Sequence, residues 1–392
     1  MSRYEIFGLL IKKSIPIGLV LVSTVMTLLL GELLVRFVVN PGDFLVASMI
    51  DDPMLGQRIK PNTTGHDALG FRNAEVPERA NVVAIGDSQT YGVSASRDGS
   101  WPHQLGELIH EPVYNMALGG YGPLQYLYLA EHEAKKLRPQ QLLVGLYFGN
   151  DLIDAYRLAR HSPYWSSWRE RGSAESDGPE EQQTANEEPK KRFADLRDWL
   201  SRHSVLYSML RITLFSEFSS REQDLIAMQV TTDQRIIWVD PSGRSVRTIF
   251  TPQSRLFALD MQLPNVQEGL RITKRAFASL QKEAVARDEE LLIVLIPTKE
   301  RVYCHYIKDS GGLMPTTFIS LCEAEERIKG DLEQFFDTNK IAYVDVTKAL
   351  EEQTYKHIQI YPKDSDGHPL AIGYGVIART VYDTVRRLQK EK

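Results

Sequence analysis

The segment VVAIGDSQTY, residues 82–91, constrains the fold of this chain more than any other stretch. It begins with an apolar, largely β-branched run, Val82 to Ile85, which is typical of a strand buried on both faces of a parallel sheet. The run ends at Gly86-Asp87-Ser88, where glycine permits a tight turn. Ser88 is therefore predicted at the carboxyl end of a buried strand, the edge at which open α/β sheets bind ligands.

Apolar runs of the same kind recur along the chain and alternate with helical patterns. Strands are predicted at residues 113–115, 141–148, 291–296 and 341–346. Helices are predicted from Ser100, at 123–137, 267–287 and 318–338, and from Pro369 to Arg387. Strands that alternate with helices indicate a parallel sheet, so we expect an α/β fold.

Composition and motif content exclude several classes of function. The 392 residues carry a net charge of -5, so we predict no nucleic-acid partner. Two cysteines, Cys304 and Cys322, are too few for a disulfide-rich scaffold or a four-cysteine zinc site, and the sequence leaves their pairing open. The histidines have no metal-ligand spacing, and both glycine-rich nucleotide motifs are absent. We therefore expect neither a metal nor a cofactor.

An uncharged run from Ser14 to Gly31 is long enough to cross a bilayer as a helix. Arg3, Lys12 and Lys13 precede it, which favours a cytoplasmic N-terminus and an extracytoplasmic position for the rest of the chain. A cleaved signal peptide is the alternative, but no small-x-small site follows between residues 30 and 40. A buried core helix is a third interpretation.

The predicted organisation has three parts. Residues 1–40 form a cytoplasmic tip and a transmembrane anchor, residues 41–80 a stalk and lead-in, and residues 81–392 the main domain. An insertion is expected at about 152–264, with an amphipathic helix at 193–214 and an exposed hairpin at 235–250. Within it, residues 172–189 contain six acidic side chains and no basic ones, which predicts disorder.

Four separate places carry polar residues at strand ends or in loops: Gly86-Asp87-Ser88, Gly119-Gly120, Gly149-Asn150-Asp151 and Asp366-Gly367-His368. Together they supply the parts of acyl transfer, with Ser88 as nucleophile, His368 as base and Asp366 as the group that orients the imidazole. The N–H groups of Ser88 and Gly120 and the amide of Asn150 are expected to form an oxyanion hole. We expect Asp87 and Asp151 to be structural.

Each of these residues also has an ordinary interpretation. Serine is common in strand-to-helix turns, and Asn150 and Asp151 suit a turn or a helix cap. Gly119-Gly120 is also compatible with a bare loop, and His368 with a surface position at the start of a helix. The catalytic interpretation depends on all four places acting together.

The four blocks GDSQT, NMALGG, GND and DGH resemble, in their order, the marker blocks of the SGNH/GDSL hydrolase superfamily. HDALGFRN at 66–73 and IPTKERVY at 296–303 are similar to segments of membrane-anchored bacterial members. The resemblance covers about residues 66–151 and 265–390 and implies a three-layer α/β/α flavodoxin-like fold. The family more often has Asp-x-x-His where this chain has Asp-x-His, which leaves Asp364 as an alternative to Asp366. Gly119 is likewise an alternative to Gly120.

The resemblance implies a serine esterase that acts on ester groups, such as O-acetyl groups, of an extracytoplasmic glycan or lipid. An O-acetyltransferase of a surface polysaccharide would use the same acyl-enzyme and is one alternative. The other is a non-catalytic glycan-binding or assembly module that retains the fold.

Overall fold

The computed structural model describes residues 3–63, 65–170, 194–211, 236–240, 246–311 and 314–390. The segment 172–189, for which the sequence predicts disorder, lies outside these ranges. So do residues 241–245, the turn of the expected hairpin.

Nine strands are present in the described residues. They are β1 (Met49–Asp52), β2 (Gly56–Ile59), β3 (Val82–Gly86), β4 (Val113–Ala117), β5 (Gln141–Tyr147), β6 (Ile236–Val239), β7 (Arg247–Phe250), β8 (Glu290–Ile296) and β9 (Ala342–Asp345).

The helices surround these strands. They are α1 (Arg3–Val38), α2 (Ser88–Tyr91), α3 (Trp101–Ile109), α4 (Pro123–His132), α5 (Asp151–His161), α6 (Ala194–His203), α7 (Pro252–Phe257), α8 (Pro264–Ala286), α9 (Lys299–Asp309), α10 (Thr316–Asn339), α11 (Thr347–Tyr355) and α12 (Ala371–Lys390). Residues 205–211 are also helical.

The central sheet has five strands in the order β4-β3-β5-β8-β9, and every neighbouring pair is parallel. Numbered along the chain, this order is 2-1-3-4-5, the flavodoxin-like arrangement. The expected three-layer α/β/α fold is therefore confirmed. In this topology the carboxyl ends of β3 and β5 lie side by side, next to the point where the strand order reverses.

The sheet separates two hydrophobic cores, because successive side chains of each strand point to opposite faces. Val83 and Ile85 of β3 face a core that α4, α5 and α8 cover. Val82 and Ala84 face the other core, which α3, α9 and α12 cover. Burial on both faces explains why these strands read as continuous apolar runs.

Residues 41–80, the expected stalk and lead-in, contain the antiparallel pair β1–β2. They also place Leu55, Ile59 and Phe71 in the first core, where these side chains are almost fully buried. This segment is therefore packed on the domain over much of its length.

The insertion was expected to begin at about residue 152, but α5 still belongs to the core domain, because it packs against α8 on one face of the sheet. The inserted segment therefore begins after α5. The two strands of the expected hairpin are present as β6 and β7, but the prediction that they are exposed is wrong. Trp238, Ile249 and Phe250 are buried, and Phe250 and Trp238 both contact the ring of Tyr303 on α9. The expected helix at 193–214 is interrupted at Ser204, whose hydroxyl caps the N-terminus of the second segment.

The first helix contains an apolar segment, Gly18–Val38, that is long enough and apolar enough to cross a membrane. The most hydrophobic 18-residue stretch of this segment is not buried against the rest of the protein.

Cys304 on α9 and Cys322 on α10 form a disulfide with a Cα–Cα distance of 6.6 Å. This separation lies in the range that a disulfide requires. The bond ties two helices that cover the second core, and it answers the question of pairing that the sequence left open.

Candidate active site

Ser88 is the first residue of α2, two residues after β3 of the five-stranded sheet ends at Gly86. Asp87 is the N-cap of this short helix, and its Oδ1 accepts a hydrogen bond from the backbone N–H of Gln89 at 2.9 Å. Position 86 has no room for a side chain, because a Cβ there would lie 2.1 Å from Oγ1 of Thr90. The tight packing of α2 against β3 therefore presents Ser88 at the carboxyl edge of the sheet, as predicted.

His368 contacts Ser88 across 280 residues of sequence. Its Nε2 lies 2.7 Å from Oγ of Ser88, and its Nδ1 lies 2.5 Å from Oδ1 of Asp366. With a proton on Nδ1 donated to the carboxylate, Nε2 has a lone pair directed at the Ser88 hydroxyl. The structure thus joins the three predicted residues in one hydrogen-bonded chain. The half-buried Ser88 and His368 remain open to a substrate.

The loop around Asp366 favours the ionised carboxylate. Burial opposes the charge, but hydrogen bonds from His368 and from the hydroxyl of Ser94 outweigh it and lower the pKa of Asp366 to about 2. Asp364, the alternative acid, accepts the backbone N–H of Asp366 at 2.9 Å. The geometry therefore pairs the imidazole with Asp366, while Asp364 shapes the loop.

The buried side chain of Lys299 binds the backbone of the loop that contains Asp364 and Asp366. Nζ of Lys299 lies within 3.0 Å of four oxygen atoms: Oγ1 of Thr248 and the carbonyl oxygens of Ile249, Asp364 and Asp366. Burial lowers the pKa of Lys299 to about 8, so the side chain stays protonated at neutral pH. The ammonium group therefore fixes the backbone that carries the acid.

The second predicted block forms a turn against Ser88. Gly120 has a φ of +82°, which favours glycine, and a Cβ on Gly119 would lie 3.5 Å from the Cβ of Ser88. Within the described residues, the backbone N–H groups of Ser88, Gly119 and Gly120 donate to no protein acceptor. Donors beside the serine are therefore available for an incoming oxygen, and both glycines remain candidates for that role.

Asn150 is the N-cap of α5, at the carboxyl end of β5. Its Nδ2 donates to Asp154 at 2.5 Å, and a primary amide has a second N–H that this bond leaves for a ligand. The next residue, Asp151, is fully buried and accepts hydrogen bonds from the hydroxyl of Tyr126 and the N–H of Tyr147, both at 2.9 Å. Asp151 thus orders the loop, which agrees with the expected structural role.

Several buried carboxyl groups near these loops have raised pKa values. Burial raises the pKa of Asp87 and of Asp154 to about 6 each. It raises the pKa of Glu325, which accepts hydrogen bonds from the N–H and hydroxyl of Thr298, to about 7. These groups bind protons more tightly in the folded protein than in the unfolded chain.

The protein should therefore lose stability as the pH rises from about 4 to 7, since over this range the folded state holds protons that the unfolded chain has released. We expect the melting temperature to fall by roughly 5 °C or more between pH 5 and pH 7. Below about pH 4 the sign reverses, because Asp366, with a pKa of about 2, stays ionised in the folded state. Calorimetry in detergent across this range tests both limbs.

Glu325→Gln is the matched control for that titration. It keeps an oxygen for the N–H of Thr298 and removes the ionisable group, so the decline between pH 5 and pH 7 should become smaller. A melting temperature that rises steadily from pH 5 to pH 7 would contradict the assignment.

The pattern-based prediction missed three residues that shape the site: Ser94, Lys299 and Arg72. Arg72 donates to the carbonyl oxygens of Gly92 and Ala95, both at 3.0 Å, and so fixes the segment that carries Ser94. Ser94 has a φ of +66°, which is uncommon for a residue other than glycine. Two of the three lie in segments that the sequence analysis singled out: Arg72 in HDALGFRN and Lys299 in IPTKERVY. The resemblance included these segments but gave neither residue a role.

No protein-family model matches the sequence, and no curated protein matches it. Solved structures similar to this chain include a lipolytic protein of the G-D-S-L family from Desulfitobacterium hafniense, with 12% identity and a TM-score of 0.37, covering 77% of this chain and 98% of that one. Another is a catalytic mutant of Axe2, an acetylxylan esterase from Geobacillus stearothermophilus, with 10% identity and a TM-score of 0.37, covering 79% and 95%. A third is a GDSL-like lipase from Bacteroides thetaiotaomicron, with 11% identity and a TM-score of 0.34, covering 79% and 89%. The first and the third of these proteins carry the G-D-S-L or GDSL name in their descriptions, and the second is described as an acetylxylan esterase.

Proposed function

We propose that this protein is a membrane-anchored, extracytoplasmic serine esterase of the SGNH/GDSL type. One observation carries the proposal: the hydrogen-bonded chain from Ser88 through His368 to Asp366, with distances of 2.7 and 2.5 Å. A nucleophile, a base and an orienting carboxylate in this order are the parts that acyl transfer needs.

In the proposed first step, Oγ of Ser88 attacks the ester carbonyl while Nε2 of His368 takes the hydroxyl proton. The resulting imidazolium is stabilised by ionised Asp366, whose lowered pKa suits that role. The N–H groups of Ser88 and Gly120 and the amide of Asn150 stabilise the negative oxygen of the tetrahedral intermediate. His368 then returns the proton to the leaving alcohol, and an acyl-Ser88 ester remains.

The second step decides between two activities. If water attacks the acyl-enzyme, with His368 again as base, the protein is an esterase. If a sugar hydroxyl attacks, the same intermediate makes it an O-acetyltransferase of a surface polysaccharide. As substrate of the esterase we propose ester groups, in particular O-acetyl groups, on an extracytoplasmic glycan or lipid. A non-catalytic glycan-binding module is the remaining alternative.

Covalent labelling with a fluorophosphonate tests the proposal directly, because the reagent reacts only with an activated serine. We expect the full-length protein in detergent to be labelled on Ser88, with the Ser88→Ala and His368→Ala variants unlabelled. Absence of label on the correctly folded wild-type protein would favour the non-catalytic module. A mass spectrum of the acyl-enzyme after incubation with cell-envelope extract would then identify the acyl group.

Asn150→Ala should lower kcat on p-nitrophenyl acetate by roughly 10²–10³-fold with little change in KM. The reason is that the amide contacts the oxygen mainly in the transition state. Asn339→Ala is a matched control, since this exposed asparagine donates only to the carbonyl of Phe335 on its own helix. Steady-state kinetics that show a raised KM at unchanged kcat would instead assign Asn150 to substrate binding.

A further inference from the structure

The C-terminal end of α1 is joined to residues 194–211, which we call the juxtamembrane helix pair: α6 and the helical residues 205–211. Glu32 of α1 accepts hydrogen bonds from the N–H groups of Val205 and Leu206, at 2.9 and 3.0 Å. It also accepts one from the hydroxyl of Ser204 at 2.8 Å. The carboxylate therefore caps the N-terminus of the second helix of the pair.

Arg36, one turn further along α1, closes the end of the first helix of the pair. Its Nη2 donates to the carbonyl oxygen of His203 at 2.7 Å, and its Nε pairs with Glu32 at 2.7 Å. A third link joins the N–H of Val46 to the carbonyl of Ser201. Both charges at this end of α1 are thus directed towards the pair.

The opposite side of the same turns of α1 is apolar and uncovered. Phe37 is 82% exposed, and Leu34 and Val38 are also exposed. These side chains continue the apolar surface of Gly18–Val38. The pair is consequently attached at a level where α1 still presents hydrocarbon outward, which is where a bilayer ends and its headgroups begin.

The outer face of α6 has matching chemistry. Leu196 and Trp199 are 50% and 56% exposed, and Trp199 stacks on His203 with ring centroids 5.0 Å apart. At 3.6 residues per turn these three lie on one face, and the buried Ser201 lies on the opposite face. An exposed leucine and tryptophan on an amphipathic helix are typical of helices that lie in the membrane interface.

We propose that the juxtamembrane helix pair lies in the bilayer interface, with Leu196 and Trp199 among the lipid headgroups. This inference rests on the proposed membrane span of α1. The bound lipid surface, together with the links that Glu32 and Arg36 of α1 make to the pair, would hold the catalytic domain at a fixed height and orientation above the membrane.

Fluorescence quenching in vesicles tests the proposal. The full-length protein is reconstituted into phosphatidylcholine and phosphatidylglycerol vesicles that contain lipid brominated near the headgroup or near the bilayer centre. Three of the five tryptophans, Trp101, Trp165 and Trp238, are buried. We expect shallow bromines to quench emission more than deep bromines, and Trp199→Phe to remove most of that quenching. Trp168→Phe, at a ring that packs against Arg275, should leave it unchanged.

A second pair of variants perturbs the contact and keeps the reporter. Leu196→Ser should reduce the quenching of Trp199, while Ser166→Ala, at an exposed serine outside the pair, should not. Carbonate extraction is measured on the same samples. If the protein resists carbonate extraction but the Trp199→Phe variant is quenched as strongly as the wild type, the proposed position of the pair in the interface is wrong. The exposed face of α6 would then be available to bind a second copy of the chain. Release by carbonate would instead overturn the span itself.

Discussion

Ser88→Ala is expected to reduce kcat on p-nitrophenyl acetate by roughly 10⁶-fold, and His368→Ala by nearly as much. Without the hydroxyl no acyl-enzyme forms, and without the imidazole the hydroxyl stays protonated at neutral pH. Because the two side chains share one hydrogen bond of 2.7 Å, the double variant should be hardly slower than either single one. Single-turnover and steady-state kinetics on all three variants measure this non-additivity.

The variants must also be folded for this comparison to have meaning. Ser88 is only half buried, so its loss should change the melting temperature little. Ser166→Ala, at an exposed serine that bonds to the carbonyl of Pro163, should keep full activity. Full activity of Ser88→Ala on an ester that the wild-type protein cleaves would leave only the fold standing.

Asp366→Asn should lower kcat by roughly 10⁴-fold, the second largest effect we expect. The amide removes the charge that stabilises the imidazolium, and it can donate to Nδ1 and so hold the proton on Nε2, where it blocks proton transfer from Ser88. Asp366 is expected to be ionised throughout the working pH range, since its pKa is about 2. The loss should therefore be nearly constant from pH 6 to pH 9.

Asp364→Asn is the matched control, two residues away in the same loop. Its side-chain oxygen can still accept the N–H of Asp366, so the loop should persist and kcat should change less than about tenfold. An equal or larger loss in Asp364→Asn than in Asp366→Asn would exchange the roles of the two carboxylates.

The central sheet could be predicted from the sequence because its strands are buried on both faces. Val82 to Ile85 and Leu291 to Ile296 read as continuous apolar runs for that reason, and their alternation with helices indicates parallel pairing. The hairpin β6–β7 was harder, since its short strands show no pattern that distinguishes a solvated face from a covered one. Its burial depends on contacts with Tyr303, more than 50 residues away.

The motif blocks predict the three residues of the hydrogen-bonded chain, but they do not predict the residues that hold those three in position. Ser94 reaches Asp366 across 272 residues, and its left-handed backbone conformation leaves no trace in a local pattern. The hydrogen bond from Asn150 to Asp154 joins residues four apart, which is the ordinary spacing of neighbours on a helix. This spacing alone therefore does not mark a functional site. Long-range contacts of this kind depend on the folded topology, which a local pattern does not contain.

The ammonium group of Lys299 has a consequence for how this protein can be shortened or recombined. It joins Thr248 and Ile249, which belong to the insertion, to the backbone at Asp364 and Asp366. A shortened version of the main domain would therefore need to retain β7. The same connection means that substitutions in β7, more than 110 residues before Asp366 in sequence, can shift the backbone at Asp366.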